Sequence, residues 1–285
     1  MGNSCPPAQA AEPPESEDLA FLDNGRIRVG MKRSSGGAIA WVSASGSDRN
    51  LVNAFDRGRL IQQSYYGRPD GSMWNKQPWT WNPVQGGDWR GSPARVLQFD
   101  IRDPRKEAYV KSVPKHWASG EELDKCGMEQ TIELRGNTAR VRYHFRQRGG
   151  EDHPKRDQEL PAVFVRPDLE TFVVYTGDRP WSDEAPERSR PGWPNEGRKM
   201  TEHWAAYVDA EDNGLGVYVP AADRLTCYRY GKSSQAKDAC SYFAPIKQLS
   251  ITADFDWDYE IVIAIGKSDA IRETFREEAK SSKQP

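Results

Sequence analysis

Two adjoining runs of strict two-residue alternation constrain the fold more than any other feature of this 285-residue chain. Apolar side chains alternate with charged ones in residues 128–135 and again in residues 138–146. The two runs are separated by Gly136 and Asn137, and a two-residue Gly/Asn connection between alternating runs is a strong signal for a β-hairpin. The sequence therefore predicts an antiparallel pair of strands with one face turned to a core.

The same alternation recurs along the rest of the chain, with turns rather than helices between the runs. Strands are predicted at 26–32, 39–43, 96–101, 162–165, 171–175, 204–208, 214–219, 225–230, 249–252 and 259–265. Only residues 268–280 indicate a helix, with Ser268 as the candidate N-cap. The chain has no GxGxxG, P-loop or GxSxG motif. We therefore expect an all-β antiparallel sandwich, with long Trp-rich loops and a short C-terminal helix.

Composition excludes several classes of protein. The 40 Lys and Arg residues nearly balance 42 Asp and Glu residues, so no net field recruits nucleic acid or an anionic membrane. No apolar run approaches the roughly 18 residues that a membrane-spanning helix needs. Thirty aromatic residues (10 Trp, 11 Tyr and 9 Phe) argue against wholesale disorder. The sequence indicates a globular protein, and its oligomeric state is left open.

The first 18 residues differ in character from the rest. Residues 1–18 are rich in Pro, Ala and acids and are expected to form a disordered tether, followed by a single sandwich domain over 19–285. Cys5 and the Pro/Ala/Glu spacer behind it look like the mature start of a bacterial lipoprotein. This predicts a secreted or periplasmic protein with a lipid anchor at Cys5, and a cytoplasmic protein with a floppy end is the alternative.

Cysteines and histidines give no metal signal. The four Cys lack CxxC spacing and the four His are scattered, so neither a metal nor another cofactor is expected. Cys227 and Cys240 flank a turn-like stretch and could close a disulfide in an oxidising compartment.

Two long segments interrupt the strand pattern. Residues 67–93 and 178–198 are rich in Pro, Gly and Trp, and long aromatic-rich loops are expected to be ordered and to shape a cleft. Flat Trp rings such as those of Trp79 and Trp81 stack on sugar rings or on bases. Single-strand nucleic-acid grooves also carry an excess of Lys and Arg, which this segment lacks. The pattern therefore favours a sugar, and the alternative is that several Trp side chains plug the core.

A polar run precedes the first of these segments. If residues 60–66 form a strand, Gln62, Ser64 and Tyr66 share one face, and Gln63 lies on the opposite face. Planar amides beside phenols suit hydroxyl-rich ligands, and Arg59 could grip a carboxylate. The alternative is a buried polar network that holds the end of a sheet.

Three side chains are the main candidates for acid–base chemistry. Asp88 follows Gly86–Gly87 among indoles, where lost hydration would raise its pKa, although a turn-capping Asp is an equally good interpretation. Glu202 and His203 open an apolar strand and point to opposite faces if extended, so they need not act together. Glu202 is the preferred member, Asp56 is held in reserve, and a surface His at a strand start is the alternative for His203.

A family resemblance is carried by the layout of residues 24–66, "NGRIRVGM…GGAIAWV…NLVNAFDRGRLIQQSYYG", in which strand, Gly-Gly turn, strand and Asn-Leu segment follow in order. This layout resembles the opening of galactose-mutarotase-like β-supersandwich proteins. "LPAVFV" at Leu160 and "EHWAAYV" at Glu202 are also similar to bacterial proteins associated with polysaccharide breakdown. The resemblance implies a supersandwich, and epimerases of that superfamily use a His and a Glu on separate strands. No position of this chain is matched to them.

The sequence thus favours a carbohydrate-active enzyme that acts on a poly- or oligosaccharide. Our first hypothesis is a glycoside hydrolase with Asp88 and Glu202 as paired carboxylates. Its sugar contacts would be Trp79, Trp81, Arg59, Gln62, Gln63 and Asn82. A polysaccharide lyase acting on a uronate with Tyr66, His203 and Arg59 is the first alternative. An aldose epimerase and a non-catalytic carbohydrate-binding sandwich complete the set.

Overall fold

The computed structural model describes residues 18–231 and 233–281. The strands are β1 (Leu19–Asp23), β2 (Ile27–Lys32), β3 (Ile39–Ala44), β4 (Ile61–Ser64), β5 (Pro69–Trp74), β6 (Gln77–Thr80), β7 (Pro83–Val84), β8 (Arg95–Asp103), β9 (Glu107–Val113), β10 (Lys115–His116), β11 (Cys126–Arg135), β12 (Thr138–Gln147), β13 (His153–Val165), β14 (Thr171–Val174), β15 (Glu187–Ser189), β16 (Glu196–Lys199), β17 (Trp204–Val208), β18 (Asn213–Tyr218), β19 (Arg224–Tyr230), β20 (Cys240–Ile251) and β21 (Phe255–Lys267). A 3-10 turn lies at Arg33–Ser35, and helix α1 spans Ser268–Ser281.

These strands form two large antiparallel sheets. The first sheet has the order β1-β2-β3-β4-β13-β20-β19-β16, with β7 paired to β4 and β10 paired to β7. The second sheet has the order β15-β14-β17-β18-β21-β12-β11-β9-β8. Strands β5 and β6 form a separate hairpin. The predicted all-β antiparallel sandwich is confirmed.

The hairpin that the sequence predicts most strongly lies in the middle of the second sheet. Strands β11 and β12 pair from Cys126 opposite Gln147 to Arg135 opposite Thr138, with Gly136 and Asn137 as the turn. Their apolar side chains are fully buried, and Phe145 stacks on Tyr65 beside β4 at 4.2 Å between ring centroids. The inner faces of the two sheets therefore pack against each other and share one hydrophobic core.

Helix α1 covers the outer face of the second sheet. Ile271, Phe275 and Ala279 are buried against β17, β18 and β21 and form the apolar stripe of the helix. The helix approaches β18 closely at Gly216, where an added Cβ would lie 2.6 Å from Ile271. No helix within the described ranges is long and apolar enough to cross a membrane.

The structure differs from the sequence-based expectations in the two long segments. Residues 67–93 contain β5, β6 and β7, and residues 178–198 contain β15 and most of β16. Hairpin β5–β6 lies outside both sheets, so neither of its faces must be buried and no hydrophobic alternation marks it. The proposed tether, with Cys5, lies outside the described residues up to its last one, Asp18, which is buried and accepts a hydrogen bond from the Ser34 amide at 2.7 Å.

The suggested disulfide is wrong. Cys227 and Cys240 are both free and buried. Cys227 lies opposite Phe243 in the core, whereas Cys240 lies opposite Tyr230 on the outer face of the same sheet. The two thiols point away from each other because odd and even positions of paired strands face opposite sides.

Candidate functional site

An aromatic-walled cleft of about 510 Å³ opens on the outer face of the first sheet. Four neighbouring strands, β4, β13, β20 and β19, supply its floor. The side chains of the floor are Gln62, Ser64, Tyr66, Glu159, Ala162, Phe164, Tyr228, Tyr230, Cys240 and Tyr242. The expected alternation holds at β4: Gln62, Ser64 and Tyr66 face the cleft, and Ile61 and Tyr65 face the core.

A β-bulge in β13 brings Glu159 into this floor. Glu159 lies opposite Ser64 and Ala162 lies opposite Gln62, so β13 advances three residues while β4 advances two. The same extra residue shifts the register between β13 and its other neighbour, β20. The extra residue lets Glu159 and Ala162 face the same side although their numbers differ by three. Bulges that re-aim a side chain in this way are frequent next to functional sites.

The carboxylate of Glu159 is held by two tyrosines. The hydroxyl groups of Tyr66 and Tyr242 both donate to its Oε1 atom, Tyr66 at 3.2 Å. Burial raises the pKa of Glu159 above its ordinary value, and the hydroxyl groups oppose part of that shift. Burial and the Glu159 charge raise the pKa of both tyrosines well above 10, so both stay protonated donors. This arrangement can accept a proton at the carboxylate and donate one from a phenol.

Two aromatic walls flank the floor on opposite sides. On the β4 side, Trp74 of the β5–β6 hairpin lies 4.8 Å from Trp79 and 6.3 Å from Trp117 between ring centroids. On the β19 side, Trp193 contacts Tyr228 and Tyr230 at 4.8 and 5.3 Å. Both long segments therefore shape the cleft, as expected from their Trp content.

The charged groups at the rim are already partnered. Asp56 Oδ1 accepts hydrogen bonds from the amides of Gly58 and Arg59 at 2.8 and 2.9 Å. The Arg59 guanidinium lies 3.5 Å from Asp56 Oδ2 and donates to the carbonyl oxygen of Asp238. Arg59 therefore lines the cleft as part of a local network rather than as an unpaired cation.

The predicted amide contacts fall into two groups. Gln62 and Asn82 line the cleft, but Gln62 donates to the carbonyls of Arg57 and Gly58, and Asn82 donates to that of Tyr65. Gln63 faces the other sheet, where it donates to the Glu129 carbonyl at 3.0 Å. These amides follow the alternative interpretation, a polar network that fixes the strand ends, and Asn82 also accepts from the Trp79 indole at 3.2 Å.

Glu202 and His203 lie away from the cleft, near α1. Glu202 is fully buried and accepts hydrogen bonds from the Trp181 amide, the Trp204 indole and the Arg272 guanidinium. His203 has a left-handed backbone (φ 61°), and its Nδ1 atom donates to the Ala222 carbonyl at 2.6 Å. Neither side chain lines the cleft: Glu202 is bonded to Arg272 of α1, and His203 is bonded to the Ala222 backbone.

Asp88 and Trp81 also lie outside the cleft lining. Asp88 is buried, and its Oδ1 atom accepts from the amides of Arg90 and Ser92 at 2.9 and 2.8 Å, which is the turn-capping geometry. Trp81 stacks on His153 at 3.9 Å between centroids. Because Asp88 is held in its own turn and Glu202 lies under α1, the structure does not bring the predicted carboxylate pair together.

The sequence analysis missed Glu159, Tyr242 and Trp117. Glu159 precedes an apolar stretch, and it faces the cleft only because of a bulge in β13. No local sequence pattern predicts that bulge. Tyr242 sits in the run Cys240–Ile251, whose start looks like a buried strand. Over 18–231 and 233–281, no group of three or more His, Cys, Asp or Glu side chains could hold a metal ion.

In sequence, the chain matches no protein-family model and none of the curated proteins. In structure, it is similar to a candidate aldose 1-epimerase from Escherichia coli K12 (TM-score 0.56, 11% identity, 87% of this chain and 99% of that one). It is also similar to a galactose mutarotase-like protein from Lactobacillus casei (0.54, 9%, 87% and 99%). A GH36 alpha-galactosidase from Geobacillus stearothermophilus matches over 91% of this chain but 41% of its own (0.53, 12%).

These identities are far too low to carry an activity across, and the likeness concerns the fold. Two of the three matches extend over nearly the whole of the other chain, so the correspondence includes both sheets rather than one. The resemblance seen in the sequence layout is thereby confirmed: the chain has the fold of galactose mutarotase-like proteins.

Proposed function

We propose that this protein is a carbohydrate-active enzyme that binds a sugar ring in the cleft and uses Glu159 as its general base. The observation that carries the proposal is the Glu159 carboxylate on the floor, bonded to two protonated tyrosines and flanked by indole walls. A carboxyl with a raised pKa beside a ligand-sized cleft is a functional-site candidate. Carbohydrate-active proteins among the structural neighbours add support by analogy of fold.

Interconversion of aldose anomers fits these groups best. The Glu159 carboxylate takes the proton of the anomeric hydroxyl, the bond between C1 and the ring oxygen breaks, and a C1 carbonyl forms. The ring oxygen receives a proton from Tyr66, and the protonated Glu159 returns a proton to the Tyr66 phenolate through their hydrogen bond. Rotation of the C1 carbonyl and the reverse steps close the ring as the other anomer.

The other enzymatic hypotheses find less support in the cleft. Hydrolysis needs two carboxylates flanking the bond, and Asp56, which shares the cleft with Glu159, is occupied as a turn cap. A lyase needs a tyrosine that is already deprotonated when it removes the proton alpha to the uronate, whereas burial raises the pKa of Tyr66 well above 10 and keeps it protonated. Its uronate would also compete with Asp56 for Arg59.

The direct test follows the equilibration of freshly dissolved anomers of glucose, galactose and xylose by NMR, with and without the protein. Parallel samples of neutral and acidic polysaccharides are assayed for new reducing ends and for ultraviolet absorbance of unsaturated ends. We expect faster equilibration with neither product signal. New reducing ends would replace the proposal with hydrolysis, and absorbance would replace it with elimination. Binding without any reaction would leave a carbohydrate-binding sandwich.

The pH dependence of kcat/KM tests the hydrogen bonds to Glu159. A base is active above its pKa, so kcat/KM is expected to fall as the pH drops through the raised pKa of Glu159. Tyr242→Phe removes a hydroxyl group that lowers this pKa, and the acid limb should therefore move up by about 0.5–1 pH unit.

The matched control for that shift is Tyr143→Phe. Tyr143 is fully buried in the second sheet, and its hydroxyl group has no hydrogen-bond partner among the residues that the structure describes. Its loss should leave the acid limb in place. If the acid limb does not move in Tyr242→Phe, or moves equally in both variants, it does not report the ionisation of Glu159.

A further inference from the structure

Aromatic side chains continue beyond the mouth of the cleft. Trp193, Tyr230 and Phe55 are 60%, 40% and 43% exposed, which is unusual for such large apolar groups. They are linked in a row: Trp193 lies 5.3 Å from Tyr230, and the Arg59 guanidinium lies 5.8 Å from Tyr230 and 5.0 Å from Phe55. We call these four residues the rim platform.

The rim platform is continuous with the cleft. Arg59, Trp193 and Tyr230 line the cleft as well, so a ligand that extends out of it on this side passes over them. The edge-on contacts of Trp193 with Tyr228 and Tyr230, at 88° and 70°, fix the ring while most of its surface stays in water. A rigid, exposed indole of this kind offers the C–H face of a sugar ring a contact that needs little reordering.

We infer that the rim platform is a second sugar subsite, so that the protein acts on the reducing end of an oligo- or polysaccharide chain and holds it more tightly than a free monosaccharide. The inference rests on the proposed function of the cleft. The reducing terminal unit, which carries the free anomeric hydroxyl group, lies at Glu159, and the next unit stacks on Trp193. We expect the bound sugar chain to be neutral. Arg59 is already held by Asp56 and by the Asp238 carbonyl, so it is not free to pair with an acidic sugar, and the floor itself carries a carboxylate.

Isothermal titration with chains of increasing length tests the subsite. The probes are glucose, galactose and xylose, each with its 1,4-linked di- and trisaccharide. For the sugar that binds, affinity should rise about tenfold from the mono- to the disaccharide, and Trp193→Ala should abolish that gain, measured as the ratio of the two affinities within the same variant. Trp89→Ala is the control, because Trp89 is similarly exposed (41%) but does not line the cleft.

The outcomes separate this inference from the proposed function. Equal affinity for all chain lengths, or an equal loss in both Trp variants, overturns the subsite while monosaccharide binding and Glu159-dependent activity persist. Absence of any sugar binding overturns the proposed function as well. Light scattering on the same samples adds one more discriminating result: self-association abolished by Trp193→Ala would make the rim platform an interface between two copies instead.

Discussion

The variant Glu159→Gln is expected to lower kcat by about 10²–10⁴-fold while sugar affinity changes by less than about threefold. Gln keeps the size of the side chain and can still accept from the Tyr66 and Tyr242 hydroxyl groups, but it cannot take a proton. The loss should therefore appear in turnover and not in binding, which titration with the same sugar measures on the same protein.

Glu129→Gln is the matched control for this loss. Glu129 is also a partly buried glutamate that accepts from a tyrosine, Tyr109 at 2.7 Å, but it lies on the second sheet outside the cleft. Its turnover should stay within about twofold of the parent, since it does not line the cleft. Near-normal turnover in a folded Glu159→Gln protein would remove Glu159 as the base and would direct attention to Asp56.

The contrast between Glu159 and Glu202 shows how far the sequence alone could go. Alternation identified most strands, and it correctly put Gln62, Ser64 and Tyr66 on one face of β4. It could not identify Glu159, because a single extra residue in β13 reverses which residues of the strand face the cleft and which face the core. That residue is visible only when β13 is paired with both of its neighbours.

Glu202 attracted attention for a local reason that the fold explains differently. An acid beside His203 and Trp204 at the start of a strand suggests chemistry when only neighbours in sequence are known. Its decisive partner, Arg272, lies 70 residues away on α1 and reaches it with two nitrogen atoms, at 2.6 and 3.0 Å. Long-range pairing of this kind has no sequence signature, so a structural carboxylate and a catalytic one look alike until the chain is folded.

Loss of the same ion pair is expected to have the largest effect on stability among the variants proposed. Glu202 is completely buried and Arg272 is 14% exposed, and the Glu202 carboxylate raises the pKa of Arg272. Arg272→Met should lower the free energy of unfolding by about 3–5 kcal/mol, because it leaves a buried carboxylate without its charged partner. For a chain of this size, that corresponds to a fall in Tm of about 10 °C, measured by thermal denaturation.

The double variant Glu202→Gln/Arg272→Met decides why stability is lost. If the cost is the unpaired charge, neutralising Glu202 as well should recover part of the Tm, since buried pairs replaced on both sides are often tolerated. Lys280→Met removes an exposed partner of Glu277 on the same helix and should leave the Tm nearly unchanged. Folded Glu202→Gln should retain its turnover per molecule. Normal stability with lost turnover would instead restore Glu202 to the catalytic role that its sequence neighbourhood suggested.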